Sequence, residues 1–204
     1  MSLLVSTLRG EEIVPVIPGL ARLRIDIFRD FPYLYDGDLA YEANYLASYA
    51  KSPRAAVIAV VDPALDEPER LVGAATALPL ADEPEAFTSP VAAAGIDVSR
   101  VCYFGESLLR REYRGRGIGH RFFDAREAHA RSLGLPLAMF CAVIRPEDHP
   151  LRPANYRPLD AFWRSRGYAP LANAAVRLSW KDVDAPVETG KELGFWLRDL
   201  ATGP

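Results

Sequence analysis

Arg114-Gly115-Arg116-Gly117-Ile118-Gly119 constrains this chain more than any other stretch. An apolar run, Val101 to Leu109, leads into it, and an amphipathic run, Ile118 to Leu133, leads out. Strand, glycine-rich turn and helix in that order build an anion site. The first N–H groups of a helix have no internal partner, and the helix dipole adds partial positive charge there. Glycine lets a phosphate approach the main chain closely. Arginine adds a permanent charge with bidentate geometry. The stretch therefore predicts a phosphate-bearing ligand at the start of a helix.

Spacing narrows the ligand. A Walker A loop ends in Gly-Lys-Ser/Thr, and no lysine lies near these glycines. The dinucleotide fingerprint Gly-x-Gly-x-x-Gly fails in both registers, because its third glycine would be His120 or Phe122. Arg-x-x-Gly-x-Gly remains, read as Arg114, Gly117 and Gly119. Glycine-arginine repeats also occur in RNA-binding segments, but those sit in polar sequence and this one joins two apolar elements. In the helix that follows, Ile118, Phe122 and Ala125 fall at i, i+4 and i+7, and Phe123 and Leu133 extend the face. Arg121, Arg126, Glu127 and Arg131 fall off that stripe, and His120 and His129 read as helix-surface positions. Gly134 and Pro136 end the helix.

Composition bounds the rest. The 204 residues are half hydrophobic and a quarter charged, with a net charge of −3. One domain over residues 1–204 is the simplest expectation. Slight overall acidity argues against nucleic acid as a partner, although Arg110, Arg111, Arg114, Arg116 and Arg121 concentrate positive charge locally. No apolar run approaches the ~20 residues of a membrane span, and Met1 to Val5 lacks the features of a signal peptide. A cytoplasmic location is expected, with no membrane partner. Cys102 and Cys141 lie in apolar runs and read as buried small hydrophobes, not as a disulfide or zinc framework.

The periodicities predict strands near 3–8, 55–61, 71–78, 101–109, 137–144 and 175–180. They predict helices near 11–29, 38–50, 118–133 and 159–166, short helical pieces within 81–100, and a C-terminal helix over about 186–204 as an appendage. This order, with the Arg114–Gly119 motif, resembles the GNAT superfamily, the Gcn5-related N-acetyltransferases. A second stretch, Phe162-Trp163-Arg164-Ser165-Arg166-Gly167-Tyr168, is similar to the family's second motif. The resemblance implies an α/β (α+β) fold with a central mixed, twisted sheet of about six to seven strands flanked by helices.

It further implies an N-acetyltransferase that uses acetyl-CoA as cosubstrate, with no metal. The acetyl group passes to a primary amine of a small molecule or peptide by direct attack in a ternary complex. The family's strand before the glycine loop splays from its neighbour and takes the pantetheine arm like an added strand. Here that role falls to Leu108, Leu109 and Arg110, with Val143 and Ile144 on the opposite lip. The main chain of Arg114, Gly115, Arg116, Gly117, Ile118 and Gly119, with His120 next along, is expected to hold the pyrophosphate. Asn155 and Trp163 complete the cofactor-binding set.

Glu106 stands eight residues before Arg114, where many family members carry a glutamate that removes the proton from the amine. Strand alternation puts it on one face with Cys102, Phe104 and Leu108, an apolar setting that suits a base near neutral pH. A glutamate ion-paired for structure is the equal alternative. The family's acid, a tyrosine, is replaced by Trp163, which cannot donate a proton to a thiolate. Tyr156 is the first replacement and Tyr168 another. The acceptor wall is expected from Tyr33, Tyr35 and Asp36, an aromatic and acidic mouth for a cationic amine. The missing tyrosine also leaves open a non-catalytic acyl-CoA-binding or regulatory module, and the chain as monomer or homodimer.

Overall fold

The computed structural model describes residues 2–201. Strand β1 (Leu4–Arg9) leads through a 3-10 segment (Gly10–Val16) into α1 (Ile17–Phe28). Pro15 lies inside the 3-10 segment and Pro18 in the first turn of α1, where its missing N–H does no harm. Helix α2 (Leu39–Lys51) starts at Asp38, whose Oδ1 accepts the N–H groups of Ala40 and Tyr41, each at 3.0 Å. Strands β2 (Ala56–Val61) and β3 (Leu71–Pro79) pair antiparallel as the hairpin their apolar runs predict. After a segment carrying α3 (Glu85–Ala93) come β4 (Val101–Tyr103) and β5 (Ser107–Leu109). Then follow α4 (Ile118–Ser132), β6 (Leu137–Val143), α5 (Asp160–Ser165), β7 (Ala169–Lys181) and β8 (Glu188–Asp199).

Among the described residues the strands form one eight-stranded sheet in the order β1-β2-β3-β4-β6-β8-β7, with β5 also paired to β3. Only β4 and β6 run parallel. The sheet is larger than the expected six to seven strands for two reasons. First, the segment 101–109 is two strands. Gly105 passes so close to the Tyr49 and Thr76 hydroxyls that a Cβ there would overlap both, and the chain leaves strand geometry over Phe104–Glu106. Second, the expected C-terminal helix is strand β8, inserted between β6 and β7; residues 202–204 lie outside the described residues. Leu193, Phe195 and Leu197 alternate onto one face and Trp196 packs on the other. Gly190 and Gly194 would each cost about 1 kcal/mol in a helix interior. The period is two, and reading it as helical was the error.

Helices α1 and α2 cover one face of the sheet through Leu20, Leu23, Leu46 and Tyr49. Helix α4 covers the other face. Its Ile118 and Phe122 meet Ile58, Val72 and Ala75, and its Phe123 joins Cys102, Phe104, Phe140, Tyr168 and Trp196. Three α4 residues expected off the apolar stripe or on the helix surface are buried instead: Arg126, Glu127 and His129. Each has a local reason. Glu127 is met by Arg166, Arg198 and the Tyr168 hydroxyl, and His129 Nε2 bonds the Arg54 carbonyl at 2.8 Å. Arg126 stacks on Phe104 and Phe123.

Candidate active site

Strands β4 and β6 run side by side from Val101/Leu137 to Tyr103/Met139, and the Phe104 N–H still donates to the Met139 carbonyl at 2.7 Å. Beyond that point they part. Strand β5 turns to pair with β3, while β6 continues against β8. A wedge opens between β5 and β6 and widens into a groove of about 2050 Å³. Leu109, Arg114, Gly115 and Gly117 to His120 line one end of it, and Cys141 to Arg145, Phe31 to Leu34 and Tyr156 line the other.

The glycine end is built from main chain. Gly115 and Gly117 both take φ +75°, with no atom within 4 Å of where a Cβ would stand. Gly117 is the N-cap of α4 and offers no side-chain cap, so the first-turn N–H groups face outward. Arg114 Nε donates to the Leu109 carbonyl at 3.1 Å and braces the end of β5. Arg116 turns back to the Glu112 carbonyl at 2.9 Å and over the Tyr113 ring. This cradle fits a bound diphosphate: open, positively biased, and clear of side chains at the glycines.

Glu106 is 3% exposed and faces α1 and α2. Its Oε1 pairs with Arg24 and accepts the Tyr45 hydroxyl at 3.1 Å. Its Oε2 accepts the Thr76 hydroxyl, and its N–H donates to that same hydroxyl oxygen at 2.9 Å. Arg24 also pairs with the buried Glu42. The apolar surroundings expected for this carboxylate are therefore absent. The break at Gly105 shifts the alternation, so that Glu106 shares a face with Leu108 but not with Cys102 and Phe104.

The sequence profile of the acetyltransferase (GNAT) family matches residues 20–153. The chain belongs to this family. A search of curated protein sequences finds no match. Solved structures share the fold at low identity. Arabidopsis thaliana NAA60 in complex with acetyl-CoA is 14% identical, with a TM-score of 0.61 over 98% of this chain and 100% of that one. The ribosomal-protein-alanine N-acetyltransferase of Brucella melitensis is 14% identical, at 0.58 over 96% and 99%. A GCN5-related N-acetyltransferase from Kribbella flavida is 17% identical, at 0.56 over 97% and 98%.

In this GNAT groove the expected residues fall unevenly. Leu109, Arg114, Gly115, Gly117, Ile118, Gly119, His120, Asn155 and Trp163 line it. Arg110 and Arg116 do not, and the Leu108 side chain is buried in the core under α1. Trp163 packs against Phe140 and Trp196, both at 5.0 Å between centroids. Tyr168 is buried with its hydroxyl on Glu127, which removes it as a proton donor. Tyr156 lines the groove, with its ring edge-on to Phe31 at 4.7 Å, and burial raises its hydroxyl above the usual tyrosine value. Tyr33 lines the groove, stacked between Phe28 and Trp180. Tyr35 and Asp36 are not on its wall. Asp36 is bound by Lys181 at 2.7 Å and Arg29 at 3.1 Å, which hold its carboxyl below the usual value. The Asp36 charge is taken by Arg29 from the end of α1 and by Lys181 from the distant β7.

Two groove residues escaped the sequence reading. Arg145, 9% exposed at its side chain, donates to the Pro32 and Tyr33 carbonyls at 2.8 and 2.7 Å and forks onto Asp182 at 2.9 Å. It ties the α1–α2 loop to the β7–β8 hairpin. Cys141 is half-buried on the groove wall, with its Sγ 3.0 Å from the Tyr103 hydroxyl. Burial pushes its thiol up to about 12. Among the described residues, no group of three or more His, Cys, Asp or Glu could hold a metal ion, and no helix is long and apolar enough to cross a membrane.

Proposed function

We propose that the protein transfers an acetyl group from acetyl-CoA to a primary amine of a small molecule or peptide. The observation that carries this reading is the wedge between β5 and β6, which runs from the glycine cradle to the break at Gly105. The thioester of acetyl-CoA supplies an activated acyl carbon. In this reading the N–H groups of Arg114 to Gly119 hold the pyrophosphate. The open edge of β5 at Leu109 and Arg110 takes the pantetheine arm, with Val143 and Ile144 opposite. Asn155 and Trp163 bound the same channel. Tyr33 and Tyr156 border the entry for the amine, whose lone pair attacks the acyl carbon. The carbon–sulfur bond then breaks with its electron pair on sulfur. The amine's proton passes to water in the open groove, and the Tyr156 hydroxyl donates to the thiolate. Positioning and acid–base help of this kind are together worth several powers of ten. Two structures of the same fold, a ribosomal-protein-alanine N-acetyltransferase and NAA60 in complex with acetyl-CoA, support this substrate pair.

Glu106 acts here as a positioning residue. Its carboxylate is spent on Arg24, Thr76 and Tyr45, and it fixes the chain break that faces the acyl carbon. Glu106→Gln separates this role from direct proton removal. Positioning predicts a loss of turnover of less than about 100-fold that is flat with pH, whereas a base predicts a larger loss that is fullest where the carboxylate is ionised and shrinks as pH falls. Acetyl-CoA at one hundred times its Kd should add about 2.7 kcal/mol, which for a chain of this size raises Tm by roughly 5–10 °C. A folded sample unmoved by millimolar acetyl-CoA would refute the reading. Binding without turnover over a broad amine panel would favour the non-catalytic module, for which the packed Trp163 is the motivating observation.

A further inference from the structure

The role of Arg126 is still open. This α4 residue is 2% exposed, yet it borders the groove beside Gly105 and Phe140. Its Nε donates to the Phe122 carbonyl at 3.2 Å and its Nη1 to the Glu106 carbonyl at 3.1 Å. Its Nη2 makes no hydrogen bond among the described residues, and no carboxylate lies within 4 Å of the guanidinium. The neighbouring titratable groups are otherwise engaged or neutral. The Glu106 carboxylate is turned to Arg24, and Glu127 is met by Arg166, Arg198 and Tyr168. The Cys102 and Cys141 thiols are each pushed up to about 12 by burial. Arg126 is thus a buried cation stacked on Phe104 at 4.5 Å and Phe123 at 4.9 Å that feels Glu106 and Glu127 only at a distance, with no ion pair of its own. Such a charge carries a desolvation cost that a leucine or methionine would avoid. Burial lowers it to about 10, so it stays charged at neutral pH.

Its height along the groove matters. Arg126 stands eight residues into α4, about 12 Å from the helix start at 1.5 Å per residue. Along β5, Ser107 stands two residues before Leu109, about 7 Å back at 3.3 Å per residue, and Glu106 directly precedes it. The hydrogen bond to the Glu106 carbonyl puts the two at one level. A ligand anchored by its diphosphate at the cradle and laid along β5 brings its far end to this level.

We infer that the Arg126 guanidinium stabilises the thiolate of the departing CoA, an inference that rests on the acetyl-CoA reading above. The amine nitrogen bonds to the acyl carbon, and the carbonyl electron pair moves to oxygen. That pair then returns, and the carbon–sulfur bond breaks with its electrons on sulfur. The nitrogen loses its proton to water. The guanidinium opposes the charge on sulfur until Tyr156 or water protonates it. A leaving group made more acidic in this way depends less on an acid at the Trp163 position.

The test compares the affinities of free CoA and desulfo-CoA from pH 6.5 to 9.5. The ratio cancels the phosphates and reports the thiol alone. A free thiol titrates near ~8.5, and a cation within reach lowers it by at least about one unit when bound. The bound form is then the more acidic, so CoA should gain roughly tenfold over desulfo-CoA as pH rises through that window. Arg126→Met should abolish the gain while leaving desulfo-CoA affinity within threefold. Arg126→Gln, which keeps a donor for the Glu106 carbonyl, serves as a second neutral variant should the first not fold. A flat ratio in the unaltered protein overturns the inference, as does a gain that survives in either neutral variant. Failure of both ligands to bind at millimolar concentration overturns the acetyl-CoA reading instead.

Discussion

At its glycine end the groove presents main chain; at its other end it presents side chains held from distant parts of the sequence. The cradle over Arg114–Gly119 is local. Two left-handed glycines and one uncapped helix start make it, all within a few residues. The far wall is assembled from the α1–α2 loop, the segment after β6 and the β7–β8 hairpin. It is locked by Arg145 on Asp182 and by Lys181 on Asp36. The first kind of site tolerates surface drift as long as the glycines stay. The second can be retuned by exchanging one side chain, provided the lock survives.

The contrast is open to direct attack. Arg145→Met strikes the lock and should have the largest effect. It leaves Asp182 with Lys191 as its remaining cation, frees the Pro32 carbonyl and leaves the Tyr33 carbonyl to the Trp180 indole N–H. Breaking a buried pair costs about 3–5 kcal/mol, or roughly 10 °C in Tm for this size. CoA affinity should fall far less than acceptor affinity. The loss has a pH signature. Burial works to raise the Asp182 carboxyl, but its bonds to Arg145 and Lys191 outweigh that and hold it below the usual range. A carboxylate depressed in the folded state stabilises above its unfolded value near ~3.9 and stops doing so as pH falls through the folded one. Melts at pH 7 and pH 3 should therefore show the gap between the two proteins narrowing in acid.

Gly117→Ala strikes the cradle and should act in the opposite sense. A Cβ at φ +75° strains the chain by about 1–2 kcal/mol. Acetyl-CoA affinity, measured by calorimetry, should drop by up to tenfold while the acceptor KM at saturating acetyl-CoA holds. The smallest effect belongs to Tyr35→Phe. Because Tyr35 is off the groove wall, the acceptor KM should move by less than twofold; a larger change would mean that the α1–α2 loop presents Tyr35 to the acceptor after all.

The same contrast explains what could be read from the residues alone. The cradle, its flanking elements, the Asp38 cap and the Gly134 stop all depend on neighbours within one turn, and all appear where the spacing put them. The division of 101–109 at Gly105 escaped because the clash that forces it involves Tyr49 and Thr76. Strand β8 was misread as a helix, although Gly190, Gly194 and the alternation of Leu193 and Phe195 carried the signal. Buried Arg126 and Glu127 broke the rule that charge marks an exposed face. The rule failed where aromatic rings and paired arginines supplied the compensation. Asp36 misled in the opposite way. Its charge is taken by Lys181, a partner 145 residues away.

The position of β8 also sets an order of events during synthesis. Strand β8 follows β7 in the chain yet lies in the interior of the sheet, between β6 and β7, and among the described strands β7 pairs with β8 alone. The cradle and its helix can therefore be in place while the far wall of the groove is still unattached chain, exposing the apolar edge of β6. Long-range pairing of this kind is slow to form and prone to mispairing. A ribosome carrying this protein thus holds a half-sheet with an open seam until residues near Asp199 clear the exit, and the far wall of the groove closes only then.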